Sequence, residues 1–358
     1  MGTELKDTFL SLVRLGICNT TTVQMPRELD WNAMTELAAR QGLLGVVLDG
    51  IERLDSDRCP PKTDLLQWIG EVMQYEAQYA LQQKAAAEMG LLFHHNNIRT
   101  YVLKGLVIAE CYPKPEHRFS VDFDCYLLPD KGDFDAWSAG NDVIKGQGYT
   151  VNFDYYKNST FLLPGLMVEN HKFMVPFRGN KRLETLEIML QSQIRDDKGE
   201  DKIEKTCLYR PPVMVSALFL IEHAYSHFLH EGLNWRYVLD WMMFSRKHQK
   251  EINWYVFDAL IDEFGFRRFY DSYHRLGQYL MGDIPEEQLT KADRKMLADV
   301  WAPLDLHETF HGIKGKMELV GNTWRARWKY HFFSEISMLH ALWIQVKGFL
   351  FIKEPKLG

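Results

Sequence analysis

The stretch YVLKGLVIAECYPKPEHRFSVDFDCYLLP, residues 101–129, decides how the rest of the chain is read. Near its end Val121, Phe123, Cys125 and Leu127 alternate with Ser120, Asp122, Asp124 and Tyr126. A period of two predicts a half-buried strand with its apolar side inward. Asp122 and Asp124 then point the same way, roughly 7 Å apart. Two negative charges at that spacing repel by about 2 kcal/mol at an effective dielectric near 20. Asp is also depleted in strands. A divalent cation would offset the repulsion, because hard cations take carboxylate oxygens and keep positions open for phosphate. The plainer alternative is a solvated face on which both carboxylates meet water.

Working outward, RTYVLKG reads as a short strand ending at Gly105, and LVIAECY as a short helix stopped by Pro113. DFDAWSAGNDVIKGQGY reads as a helix with a glycine stop, and YTVNFDYY, STFLLPG and LMVENHKFMVP as three further strands. Residues 1–98 are predicted helical: Asp30 is an N-cap for WNAMTELAARQGLLGVVLDGIERL, CPPKTD interrupts, and Asp64 opens a long helix to about Asn96. From about Thr185 helices return, in RPPVMVSALFLIEHAYSHFLHEG, NWRYVLDWMMFSRKH and NWYVFDALIDEFGF. The predicted class is α+β, a small mixed-sheet core flanked by N-terminal and C-terminal helical segments. Its segments are 1–98 (helical), 99–184 (α/β core), 185–296 (helical) and 297–358 (helical, basic and aromatic).

The 358 residues are 46% hydrophobic and 25% charged, with 10 Trp and 21 Phe, which is ample core material for a globular protein. A net charge of −6 argues against an extended nucleic-acid surface, though not against a local basic pocket. Cys18, Cys59, Cys111, Cys125 and Cys207 are odd in number and lack C-x-x-C spacing, which suits a reducing compartment. The amphipathic N-terminus has no signal-peptide core, and no run reaches about 18 apolar residues, so a cytoplasmic protein without a transmembrane segment is expected.

Residues Leu103, Lys104, Gly105, Tyr112, Pro113, Arg118, Asp122 and Asp124 spell L-K-G, Y-P and R-x-x-x-D-x-D. This constellation resembles the uncharacterised bacterial nucleotidyltransferase family of the polymerase-β-like nucleotidyltransferase superfamily. Flanking segments carry the likeness over about residues 28–290: Asp30-Trp31 with LAARQG, VENHKF, and IEHAYSHF with LNWRYVLDW. Two features depart from the superfamily pattern. Lys104-Gly105 stands where Gly-Ser is usual, and Glu169 where a third Asp is usual.

The resemblance implies a metal-dependent nucleotidyltransferase. It would move a nucleoside monophosphate, with AMP from ATP as the expected group, to a hydroxyl-type acceptor and release pyrophosphate. The acceptor is a small molecule, a sugar or a protein. Asp122, Asp124 and Glu169 would hold Mg²⁺ or Mn²⁺, and Glu169 would take the acceptor's proton. Lys104, Gly105, Arg118 and Ser120 form the nucleotide-binding set: Gly105 lets backbone approach the phosphates at the start of the LVIAECY helix, and Lys104 and Arg118 add charge. For Lys104 the alternative is a solvated strand end, and for Arg118 a salt bridge to Asp122 or Asp124. His171, His223 and His227 are candidate acceptor-site residues, with structural packing as the alternative for each.

Three competing signals remain. His223, His227 and His230 share a helix face at metal-binding spacing, with Asp240 as a fourth group from the next helix; Arg236 and Asp240 also form an i, i+4 pair. His307-Glu308-x-x-His311 matches the zinc-peptidase pattern, with Lys314 where the extended motif needs Gly. The tail WRARWKYHFF and beyond reads as core docking on the N-terminal helices, as a peripheral membrane contact, or as a nucleic-acid platform. A degenerate nucleotidyltransferase fold that binds a nucleotide or a partner without turnover is the non-enzymatic alternative.

Overall fold

The computed structural model describes residues 2–351 except 21, 22, 24, 27, 303–320, 322 and 323. Helices α1 (Thr3–Gly16), α2 (Trp31–Arg40), α3 (Leu44–Ile51) and the long α4 (Lys62–His95) precede the sheet. Asp30 caps α2 as expected, accepting from Ala33 N at 3.0 Å. The run expected as one helix after Asp30 is two, because Gly42 takes a left-handed φ of +67° between them. Helix α4 starts at Lys62, so Asp64 lies in its first turn, where a carboxylate favours the helix dipole.

The α/β unit follows: β1 (Ile98–Val102), α5 (Leu106–Ala109), β2 (Asp122–Pro129), α6 (Ala136–Gly146), β3 (Val151–Asn152), β4 (Asn158–Leu163) and β5 (Leu166–His171). Beyond it come α7 (Lys181–Asp196), β6 (Leu208–Tyr209), α8 (Val213–His230), α9 (Trp235–Lys247), α10 (Trp254–Glu263), α11 (Arg267–Met281), α12 (Lys291–Val300), α13 (Arg327–Phe333) and α14 (Met338–Phe351). The six strands run in the order β3-β4-β5-β2-β1-β6. The β2–β5 and β1–β6 pairs are parallel, the others antiparallel. The two-residue β6, inside a segment expected to be helical, is too short to carry a periodic signal; Leu208 fits there against Gly90 of α4, where a Cβ would stand 2.6 Å from it.

One apolar core lies between the sheet and α4 and α6, built on Phe93, Val102, Phe123, Cys125, Leu127, Phe161 and Val168. The larger core covers the other sheet face with α7, α8 and α9, and joins them to α1–α3 and α11–α13. This corrects the half-buried expectation for β2. Phe123, Cys125 and Leu127 do face the first core, but Asp124 and Tyr126 are buried on the opposite side, at 1% and 7% exposure. A solvated face therefore does not describe Asp124.

The tail docks on α8 rather than on the N-terminal helices. Phe333 is buried with its ring centroid 5.1 Å from that of Phe228, and Lys329 Nζ donates to Phe228 O at 2.7 Å. The His307-Glu308-x-x-His311 motif lies outside the described residues. No helix among the described residues is long and apolar enough to cross a membrane.

Candidate active site

At the end of β1 the chain turns through Lys104 and Gly105 into α5. Gly105 has φ +67°, and a Cβ there would meet Asp122 O no closer than 3.4 Å. The left-handed backbone, more than space, selects glycine at this point. Helix α5 has only four residues, which leaves little dipole at its start. Leu103 N donates to Asp124 O at 3.0 Å, and Ser120 Oγ donates to Asp122 O at 3.1 Å. Ser120 O in turn accepts from Gln82 Nε2 at 3.1 Å. These bonds fix the Lys104-Gly105 turn against the head of β2.

Parallel pairing of β2 with β5 sets Asp124 opposite Glu169, Tyr126 opposite His171, and Asp122 opposite Met167. With the period of two, Asp122, Asp124, Glu169 and His171 share one face. The side chains of Asp122 and Glu169 keep 32% and 31% of their exposure, and Asp124 keeps 1%, so the group runs from solvent inward. His171 Nε2 lies 2.9 Å from Asp124 Oδ1 and 3.6 Å from Glu169 Oε2. His171 Nδ1 lies 3.2 Å from Phe173 O. Both ring nitrogens thus face acceptors, the pattern of an imidazolium. Burial pulls the His171 pKa down, but the carboxylates of Asp124 and Glu169 outweigh it and the net shift is upward. Glu169 also accepts from Asn158 Nδ2 at 2.8 Å.

Lys104 Nζ sits among these groups, 3.2 Å from Asp124 Oδ2 and 3.4 Å from Asp122 Oδ2. It is also 3.1 Å from His223 Nε2. An ammonium only donates, so His223 Nε2 must accept and His223 is a neutral ring protonated on Nδ1. Burial, then the nearby charge of Lys104, hold the His223 pKa well below its ordinary value. Burial would raise the pKa values of Asp124 and Glu169, yet both fall. Lys104 and His171 dominate at Asp124, and His171 then Lys104 at Glu169. Lys104 is therefore no solvated strand end.

Arg118 is placed differently from either expectation. Its guanidinium makes a bidentate pair with Asp240 of α9, Nε to Oδ1 and Nη2 to Oδ2 both at 2.8 Å. Tyr112 OH donates to Asp240 Oδ1 at 2.7 Å. The arginine is a strut between α9 and the segment leading into β2, and its charge is consumed there.

The histidines of α8 do not assemble a metal site. His223 serves Lys104, His227 Nδ1 pairs with Glu231 Oε2 at 2.8 Å, and His230 Nδ1 donates to Ser226 O at 2.8 Å. His223 and His227 do pack edge to face at 4.4 Å beside Tyr237, forming the α8–α9 side of the site. Among the described residues, the group of three possible metal ligands is Asp124, Glu169 and His171, whose ligand atoms all lie within 4.8 Å of one another. Asp124 Oδ2 is buried and faces the Lys104 ammonium at 3.2 Å without an aligned hydrogen bond, while Oδ1 faces His171. The two carboxylates suit Mg²⁺ or Mn²⁺, and the imidazole favours Mn²⁺ of the two.

Two site groups were missed in the sequence. Lys157, just before β4, forms no ion pair among the described residues, yet its charge reaches His171, Glu222 and His223. Glu222, one residue before His223, is 3% exposed, and among the described residues it forms no side-chain hydrogen bond. Lys157 lies in no motif, and Glu222 falls inside IEHAYSHF, where only the histidines drew notice; the packing of β4 and α8 over the sheet reveals both. A surface cleft bordered by Glu4, Asp30, Glu36 and Arg40 is lined by none of the site groups.

Neither curated proteins nor solved structures give a match to this chain. Residues 27–282 match the model of a family described as uncharacterised nucleotidyltransferase, a span that takes in the whole sheet, the carboxylate cluster and α8–α11. With that much of the chain matched, it belongs to the uncharacterised nucleotidyltransferase family and is a transferase.

Proposed function

We propose that the chain transfers a nucleoside monophosphate, AMP from ATP in the favoured case, to a hydroxyl-type acceptor, releasing pyrophosphate. The observation that supports this reading most directly is the Asp124–Glu169 pairing on adjacent parallel strands, beside Asp122, with possible ligand atoms of Asp124, Glu169 and His171 all within 4.8 Å of one another. Mg²⁺ or Mn²⁺ on these carboxylates would neutralise triphosphate charge and lower the pKa of the acceptor hydroxyl.

The chain's own groups do the rest. The acceptor oxygen attacks the α-phosphorus while the bond to the bridging oxygen of pyrophosphate breaks. Glu169, steered by Asn158, is placed at the solvent side of the cluster to take the acceptor proton. Lys157, which forms no ion pair among the described residues, offers the positive charge to the triphosphate that Arg118 was expected to supply. The rings of His223, His227 and Tyr237 wall the acceptor side. The acceptor remains any small molecule, sugar or protein bearing such a group.

A binding module without turnover is the second reading, favoured by one observation: Lys104 already pairs with both Asp122 and Asp124. Titration of the metal-stripped protein with each NTP, with and without Mg²⁺, tests the first step. Binding should require Mg²⁺ and weaken at least tenfold in D124N, with the fold retained by circular dichroism. E169Q should keep that binding and lose pyrophosphate release. Mg²⁺-dependent binding with no pyrophosphate release in the wild type would favour the module, and unchanged affinity in D124N would sink the site.

A further inference from the structure

We propose that Lys104 is a built-in cation that stands in for one of two metal ions, so that the site takes a single divalent cation on Asp124, Glu169 and His171. This rests on the metal-dependent reading above and narrows it.

The two oxygens of Asp124 divide the site. Oδ2 faces the Lys104 ammonium at 3.2 Å, and Oδ1 faces His171 Nε2 at 2.9 Å. Asp122 lies on the ammonium side, with Lys104 at 3.4 Å, and does not belong to the three-ligand group. Glu169 lies on the other side, within reach of His171. Asp124 is thus a bridge with a lysine on one flank and the possible metal ligands on the other. In a two-metal carboxylate site both flanks would carry metal.

The ammonium is held in place. The backbone before it is tied by Leu103 N to Asp124 O at 3.0 Å, and the turn after it depends on Gly105. Its third contact, His223 Nε2, belongs to a ring stacked on Phe219 at 5.7 Å and packed edge-on to His227 at 4.4 Å. The Lys104 side chain is 12% exposed, so leaving the site would mean breaking all three polar contacts and crossing packed rings. Charge points the same way. The three carboxylates of Asp122, Asp124 and Glu169 are balanced by one ammonium and one divalent cation. A second divalent ion beside a retained ammonium would add uncompensated positive charge in a region with little water to screen it. An ammonium supplies charge without coordination geometry, which leaves polarisation of the acceptor to the single metal.

The test is a count of Mn²⁺ on the metal-stripped full-length protein, by calorimetry and by electron paramagnetic resonance. Wild type should bind one Mn²⁺ per chain and D124N none. K104M should bind two, the second producing the broadened spectrum of a spin-coupled pair roughly 4 Å apart. K104R, which keeps a cation, should stay at one, and K104Q serves where K104M does not fold. Two Mn²⁺ in the wild type, one in the folded K104M or K104Q, or none in the wild type with one in the variant would each overturn the proposal and leave metal-dependent transfer standing. No Mn²⁺ in any of the proteins would overturn the metal reading itself.

Discussion

Two buried clusters of carboxylate and cation lie near β2, and they are built on opposite terms. Around Asp240 both carboxylate oxygens accept hydrogen bonds. Arg118 donates twice, Tyr112 once, and Arg236 lies 3.6 Å away. Around Asp124 there are three carboxylates, one ammonium and one shared imidazole, and one buried oxygen has no aligned donor. A balanced cluster holds elements together, whereas an anionic excess next to partly exposed carboxylates is poised to take a cation. Both clusters draw on the same R-x-x-x-D-x-D segment, so burial or charge alone would not separate strut from site; the completeness of the hydrogen bonding does.

The sharpest way to break this comparison is R118M. It should cost about 3–5 kcal/mol in urea unfolding, because Asp240 is left buried without its bidentate partner, with Arg236 at 3.6 Å as the remaining cation. Mn²⁺ binding by the folded fraction should not change. Retained stability with lost Mn²⁺ or NTP binding would move Arg118 into the site.

A second test falls on Glu222. Burial pushes its carboxyl up to about 8, with no hydrogen bond to oppose the shift. The native state therefore holds a proton that the unfolded chain releases near pH 4.3, and stability falls as pH rises from there to about 8. E222Q should remove this loss and stabilise the protein at pH 8 by a few kcal/mol, with little effect at pH 4. Equal melting shifts at both pH values would show that Glu222 has a partner after all.

The smallest effect is expected at His117, which sits between the two extremes. Its Nδ1 is 3.0 Å from Asp49 Oδ1 and its Nε2 2.9 Å from Glu76 Oε1. Lys114 Nζ is 2.6 Å from the same Asp49 oxygen. Burial lowers the His117 pKa, but the hydrogen bonds to Asp49 and Glu76 outweigh it and the net shift is upward. Its contribution to stability is complete below about pH 6.5 and is lost as pH rises through the higher folded value. H117Q should flatten that step, on the order of 1 kcal/mol, in melting curves taken across the interval. A step unchanged in H117Q would assign it to another group.

How far the sequence reached depends on the range of the interaction involved. Local periodicity gave β1, β2, β4 and β5, the Asp30 cap and the long α4, because strand alternation and capping are set by neighbours in the chain. The period of two also put Phe123, Cys125 and Leu127 on one face of β2 and Asp122 and Asp124 on the other. The carboxylate of Glu169 stood out only through its resemblance to a pattern; its place opposite Asp124 follows from strand register, which no single segment specifies. Alternation could not tell that the polar face of β2 would be roofed by α8 and α9, which is why Asp124 is buried. Nor could spacing tell that Arg118, four residues before Asp122, would turn to a helix more than a hundred residues away. The sequence by itself determined the elements and the chemistry available, through short-range preferences. The tertiary structure alone decided which cation answers which carboxylate, because long side chains choose among partners that only packing brings within reach.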